Sequence, residues 1–131
     1  MDIFQKIIAW NESRGLLARG FNLETEIANI AEELLESTGK HDSESARAEA
    51  IDFAQKISKE SKPSPEEIVD AFADIIVYAT GSIAKSGYNP SLVMEEVYKE
   101  INSRTGKLID GKFVKDLDSV KYKADFSKCT K

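Results

Sequence analysis

Cysteine, histidine and proline are scarce in this chain, and each scarcity removes a class of function. One cysteine, Cys129, stands near the end of a 131-residue sequence. A disulfide within the chain is therefore impossible, a cysteine-built zinc site is disfavoured, and the pattern fits a reducing cytoplasm. The one histidine, His41, follows Gly39 in a loop-like stretch. That leaves the chain without the Glu-x-x-His pairs of a carboxylate-bridged di-iron bundle. The three prolines fall only at expected helix boundaries. Long apolar runs are missing too: Ala71 to Ala84 is interrupted by Asp74 and is too short to span a bilayer. The opening Met1-Asp2-Ile3-Phe4-Gln5-Lys6 has neither the basic start nor the apolar core of a secretory signal. No membrane partner is expected, and the expected compartment is the cytoplasm.

Excess positive charge is also lacking. Lys and Arg number 18 against 23 Asp and Glu, a formal net charge of −5. That argues against a nucleic acid polymer as partner, because phosphate backbones demand clustered basic residues. It leaves nucleotides open, since a divalent metal can bridge an acidic site and a triphosphate. The hydrophobic fraction of 41% is enough for a core, and the length fits one domain over residues 1–131.

What is present is helical periodicity. A first helix is expected from Asp2 to Leu17, on Ile3, Phe4, Ile7, Ile8, Trp10 and Leu17. Asn22 is placed to cap a second, Leu23 to Ser37, whose apolar stripe is Leu23, Ile27, Ile30, Ala31 and Leu34. A third runs from about Ser43 to Lys59 on Ala46, Ala50, Phe53, Ala54 and Ile57. Ser64-Pro65-Glu66-Glu67 is a capping box with proline at the first helical position, opening a fourth helix to about Lys85. From Ile75 to Ala84 that helix carries no charge on any face, which predicts burial inside a bundle or at a subunit interface. Asn89-Pro90 opens a fifth helix, Ser91 to Arg104. Asp110-Gly111 predicts a small hairpin over Leu108 to Val114. The tail from Lys115 onward is expected to be extended and partly mobile. The fold class is all-α: about five helices with a small C-terminal hairpin or extended tail.

Two helices carry carboxylates in an unusual setting. Glu32, Glu33 and Glu36 are three and four residues apart and so are neighbours on the second helix, with Glu26 and Asn29 beside Glu33. Asp70 and Asp74 share a face of the fourth, with no Lys or Arg three or four residues away from either. Asp74 directly precedes the charge-free stretch, where a carboxylate is costly without a partner. A glutamate-rich helix face is ordinarily just solvated, and Glu32 alone reads so. The two clusters together suggest helices that share cations. All-oxygen ligands suit Mg²⁺, which can bridge phosphates and activate water.

Glu32-Glu33-x-x-Glu36, followed by Asp70-Ala71-Phe72-Ala73-Asp74, resembles the MazG-like superfamily of all-α nucleoside triphosphate pyrophosphohydrolases, its phage-like branch in particular. The family motifs are Glu-Glu-x-x-Glu and Glu-x-x-Asp. Asp74 matches the second, whereas Ala71 stands at its glutamate position, with Asp70 one residue earlier. The third helix lengthens the usual gap between the motifs. Gly87, the run Glu96 to Asn102, Lys107, Gly111-Lys112 and the tail Tyr122 to Ser127 extend the likeness over residues 3–127. The resemblance implies a helical bundle completed by oligomerisation as a homodimer or homotetramer. It implies Mg²⁺, with Mn²⁺ as substitute, held by Glu33, Glu36, Asp70 and Asp74. Glu32 or Glu36 would orient the attacking water, and the triphosphate would be cut between its α and β phosphates. Asn102 would meet metal-bound substrate or the sugar. Lys99, Lys107 and Lys112 read equally as phosphate ligands or plain surface lysines. Trp10, Asn11 and Arg14 are candidates for the base, with Trp10 also reading as core. The alternative is a catalytically inactive relative that binds a nucleotide or a partner.

Overall fold

The computed structural model of the protein describes residues 1–116 and 121–131. Its helices are α1 (Ile3–Ser13), α2 (Leu23–Glu36), α3 (Ser43–Ser58), α4 (Pro65–Lys85) and α5 (Pro90–Asn102). Strands β1 (Gly106–Ile109) and β2 (Lys112–Lys115) pair as a hairpin, and short 3₁₀ turns occupy Leu17–Arg19 and Phe126–Cys129. The caps explain the boundaries. Asn22, Asp42, Ser64 and Asn89 each accept a backbone N–H in the first turn of the helix that follows. The expected capping box is present, with Ser64 and Glu67 bonded reciprocally. The first helix ends four residues short of expectation. Arg14 closes it and Gly15 takes a positive φ of 73°, so Leu17 falls in a separate 3₁₀ turn. No helix among the described residues is long and apolar enough to cross a membrane.

The chain divides into two compact units. One comprises Gly15–Lys62 and Leu108–Phe113 and is built on α2 against α3. Ala46, Ala50 and Ala54 recur every four residues and are fully buried, and they meet the α2 face that carries buried Ala28 and Glu32. Alanine adds little beyond the backbone, so two helices lined with it approach closely. This departs from the expected stripe on α2, since Leu34 is 70% exposed and Ile30 is exposed as well. On α3, the expected alanines are inside while Phe53 and Ile57 face outward. Close backbone approach along the alanines sets which face turns in, and it carries the larger residues away from the contact.

The other unit comprises Met1–Arg14, Pro63–Lys107 and Val114–Lys131. Here α1 is fastened to α5 by polar contacts. Trp10 Nε1 donates to the carbonyl of Ile101 at 3.1 Å, and Lys6 pairs with Glu95 at 2.8 Å. The Arg14 guanidinium donates to the carbonyls of Asn102 and Arg104, satisfying acceptors at the end of α5. The described part of the tail is neither loose nor simply extended. Its Phe126–Cys129 turn packs on α5, and Cys129 is buried. Asn89 N donates to the Cys129 carbonyl at 2.7 Å, and Lys131 N donates to that of Gly87 at 3.1 Å. Residues 117–120 of the expected tail lie outside the described residues.

Within this unit α4 has no buried residue. In the charge-free stretch Val77 and Tyr78 are 66% and 78% exposed, so that stretch is not buried on all sides within the single chain. Its apolar surface is open to water, where the sequence pattern predicts cover.

Candidate functional site

The Glu32, Glu33 and Glu36 side chains converge on α2, each offering a carboxylate oxygen within 4.8 Å of the others. Three carboxylates this close repel one another unless cations or protons intervene. Glu32 is only 2% exposed, which corrects its reading as a solvated residue. The alanine-lined contact with α3 turns it inward, and a buried carboxylate must be compensated. Two cations do so. Lys112 on β2 donates to Glu32 Oε2, and Arg47 Nη1 on α3 lies 3.6 Å from Glu32 Oε1. The same Arg47 nitrogen donates to Asn29 Oδ1 at 2.8 Å, one turn back along α2.

The hairpin is seated on α2 by its turn. Asp110 and Gly111 both have positive φ, 49° and 78°, as a type I′ turn requires. A Cβ on Gly111 would stand 2.4 Å from the Thr25 methyl, a stiff β-branched group on α2. Only glycine allows that approach. The carbonyl of Gly111 also accepts from Asn29 Nδ2 at 3.5 Å. Glycine at the turn therefore sets the neighbouring Lys112 onto Glu32.

The electrostatics remain unbalanced at two points. Glu32 Oε1 is buried and accepts no hydrogen bond, with the Arg47 guanidinium 3.6 Å away. The carboxyl of Glu33 is pushed above the usual range, first by partial burial and then by the charges of Glu36 and Glu32. A hydrogen bond with Glu36 adds to the shift, and Lys112 opposes it. Three converging carboxylates are hard oxygen donors of the kind a small divalent cation such as Mg²⁺ or Mn²⁺ takes.

Comparison with protein-family models, with curated proteins and with solved structures returns no match.

The remaining predicted residues are distributed as follows. Asp70 and Asp74 are exposed on α4, in the unit that does not contain the glutamates. Lys99 is paired with Glu96 at 3.1 Å, Lys107 is exposed on β1, and Asn102 is the exposed last residue of α5. Trp10 and Arg14 bind the end of α5, and Asn11 donates back to Ile7 on its own helix. Sequence reasoning missed Arg47. A signal was available, since Arg47 directly follows Ala46 and so rides at the edge of the inward alanine stripe.

Proposed function

We propose that this protein is a Mg²⁺-dependent, MazG-like hydrolase that converts a nucleoside triphosphate to a nucleoside monophosphate and pyrophosphate. The observation that carries the reading is the cluster of Glu32, Glu33 and Glu36, each offering a carboxylate oxygen within 4.8 Å of the others. The same residues supply the first family-like motif. The resemblance assigns Glu33, Glu36, Asp70 and Asp74 to the metal, with Mn²⁺ as the substitute. Mg²⁺ held there would neutralise phosphate oxygens and lower the pKa of an attacking water. The chain's own groups do the rest. Glu32 or Glu36 accepts the water proton as its oxygen bonds to phosphorus, and the bond between the α and β phosphates breaks. Lys112 and Lys107 on the hairpin, with Lys99 and Asn102 on α5, are the candidates for the leaving phosphates and the sugar. Trp10, Asn11 and Arg14 remain candidates for the base.

Open apolar side chains on α4 support a homodimer or homotetramer, in which a second copy covers Val77 and Tyr78. Light scattering at micromolar concentration should then give a multiple of 14.6 kDa. Val77→Asp should shift it toward the monomer.

A second reading, an inactive nucleotide-binding relative, is favoured by Ala71 at the family's glutamate position. One experiment separates the two: the purified protein is incubated with Mg²⁺ and each NTP and dNTP, and products are resolved by ion exchange. Monophosphate plus pyrophosphate, lost on adding EDTA, is expected. No turnover with Mg²⁺ or Mn²⁺ across the panel would contradict the enzymatic reading.

A further inference from the structure

We infer that Lys112 is a built-in counter-cation of the glutamate cluster, competing with the metal for Glu32 and released toward phosphate when the metal binds. The inference rests on the metal reading above. Its geometry is independent of the family motif, because the cations come from α3 and the hairpin rather than from α2.

The argument begins with charge. With all three carboxylates ionised, Arg47 and Lys112 leave the cluster one negative charge in excess. One divalent ion turns that into one positive charge. Without the two basic residues, the loaded cluster would still be negative and would repel a polyphosphate. Arg47 and Lys112 thus make the metal-loaded glutamate cluster less repulsive to an anion.

The two cations are held differently. Arg47 is 19% exposed and is tied to Asn29 as well as facing Glu32. Lys112 is 32% exposed and donates to Glu32 Oε2. An ammonium on a flexible stem can leave without moving the backbone, whereas the Arg47 guanidinium is also anchored by its hydrogen bond to Asn29. Glu32 Oε1 is buried with no hydrogen bond and has the Arg47 guanidinium 3.6 Å away, so the carboxylate depends on Lys112 at Oε2 or on a cation that replaces it. Divalent charge then outcompetes the ammonium for the same carboxylate. The displaced Lys112 stays tethered beside the cluster by Gly111, whose turn is pressed against Thr25. A lysine in that place meets the oxygens of a metal-bound phosphate.

The test is calorimetric titration with Mn²⁺ alone, on wild type, Lys112→Met, Lys112→Arg and Lys115→Met, each checked for helicity by circular dichroism. Lys115 is exposed on the same strand and makes the same change in net charge. Lys112→Met should bind Mn²⁺ roughly five- to thirtyfold more tightly, the range for losing one partly buried competing ion pair. Lys112→Arg, which keeps the charge in a less readily displaced group, should bind no more tightly than wild type, and Lys115→Met should stay near wild type. A second titration, of inorganic pyrophosphate into Mn²⁺-saturated protein, should reverse the order and show weaker binding by Lys112→Met. Equal tightening in Lys115→Met would assign the effect to net charge and overturn the inference. Unchanged or weaker Mn²⁺ binding in Lys112→Met, with wild type binding normally, would overturn it while leaving the metal site standing. Absence of Mn²⁺ binding in every variant would remove the metal reading and this inference with it.

Discussion

Glu32 and Glu96 are both withdrawn from water, at 2% and 5% exposure, yet their surroundings differ in kind. Glu96 on α5 is fully served. Tyr122 Oη donates to it at 2.5 Å, the Asp125 backbone at 3.0 Å and Lys99 Nζ at 3.1 Å. Those donors, the tyrosine first, hold its carboxyl down at about 2. Two of the three belong to the C-terminal segment, so Glu96 acts as a fastener between α5 and the tail. Glu32 is served by long cationic side chains from separate elements, and one of its oxygens has no hydrogen bond. A carboxylate anchored by a tyrosine hydroxyl and a backbone N–H is held in place, with Lys99 adding to them. Glu32 has neither a hydroxyl nor a backbone donor among these partners and lies beside two other carboxylates. The contrast sets a glutamate that fastens two segments of one unit against a glutamate held by cations from two other elements.

The sharpest way to break this contrast is to neutralise each residue in turn. Glu32→Gln should weaken Mn²⁺ binding on the order of 100-fold, as loss of a charged group in or beside a metal shell does. Titration calorimetry reads it directly. Glu96→Gln should leave Mn²⁺ affinity unchanged and instead loosen the tail, seen as faster proteolysis C-terminal to residue 120.

The helix frame was legible because its determinants are local. Ser64-Pro65-Glu66-Glu67 and Asn89-Pro90 mark helix starts within four residues, and Asp110-Gly111 marks a turn within two. The convergence of Glu32, Glu33 and Glu36 follows from helical spacing alone. What was hidden depends on distant residues. The inward face of α2 was misplaced because it is chosen by alanines on α3, not by its own largest side chains. Burial of Glu32 could not be read because Lys112, one of its compensating cations, lies 80 residues along the chain. Docking of the tail rests on a tyrosine 26 residues from Glu96.

Packing offers a second test of the same contrast. Ala50→Leu forces methyl groups into the close approach of α2 and α3, and should destabilise the protein by about 1–3 kcal/mol in urea unfolding. It should also disturb the Arg47–Glu32 pairing and lower Mn²⁺ affinity, whereas a comparable loss of stability in the other unit should not.

Acid should act on the two glutamates' neighbourhoods with opposite sign. The folded carboxyl of Glu96 titrates near 2, well below its ordinary 4.5. Its contribution is therefore complete above about 4.5 and lost as pH falls toward 2. Glu33 is shifted upward, so its contribution is complete below 4.5 and is lost as pH rises through its folded value. Protease sensitivity of the tail should accordingly increase between pH 4.5 and 2, and Tyr122→Phe should move that onset to higher pH. The smallest effect is expected from Arg47→Lys. It keeps the charge near Glu32 but replaces the guanidinium that bonds Asn29, and should change Mn²⁺ affinity only a few-fold.

The most direct test of the central claim is Mn²⁺ binding to Glu32→Gln and Glu96→Gln measured side by side, both confirmed helical by circular dichroism. Loss of binding in Glu32→Gln with retention in Glu96→Gln is the predicted result. Equal binding in the two variants would contradict the assignment of the α2 glutamates to a divalent metal.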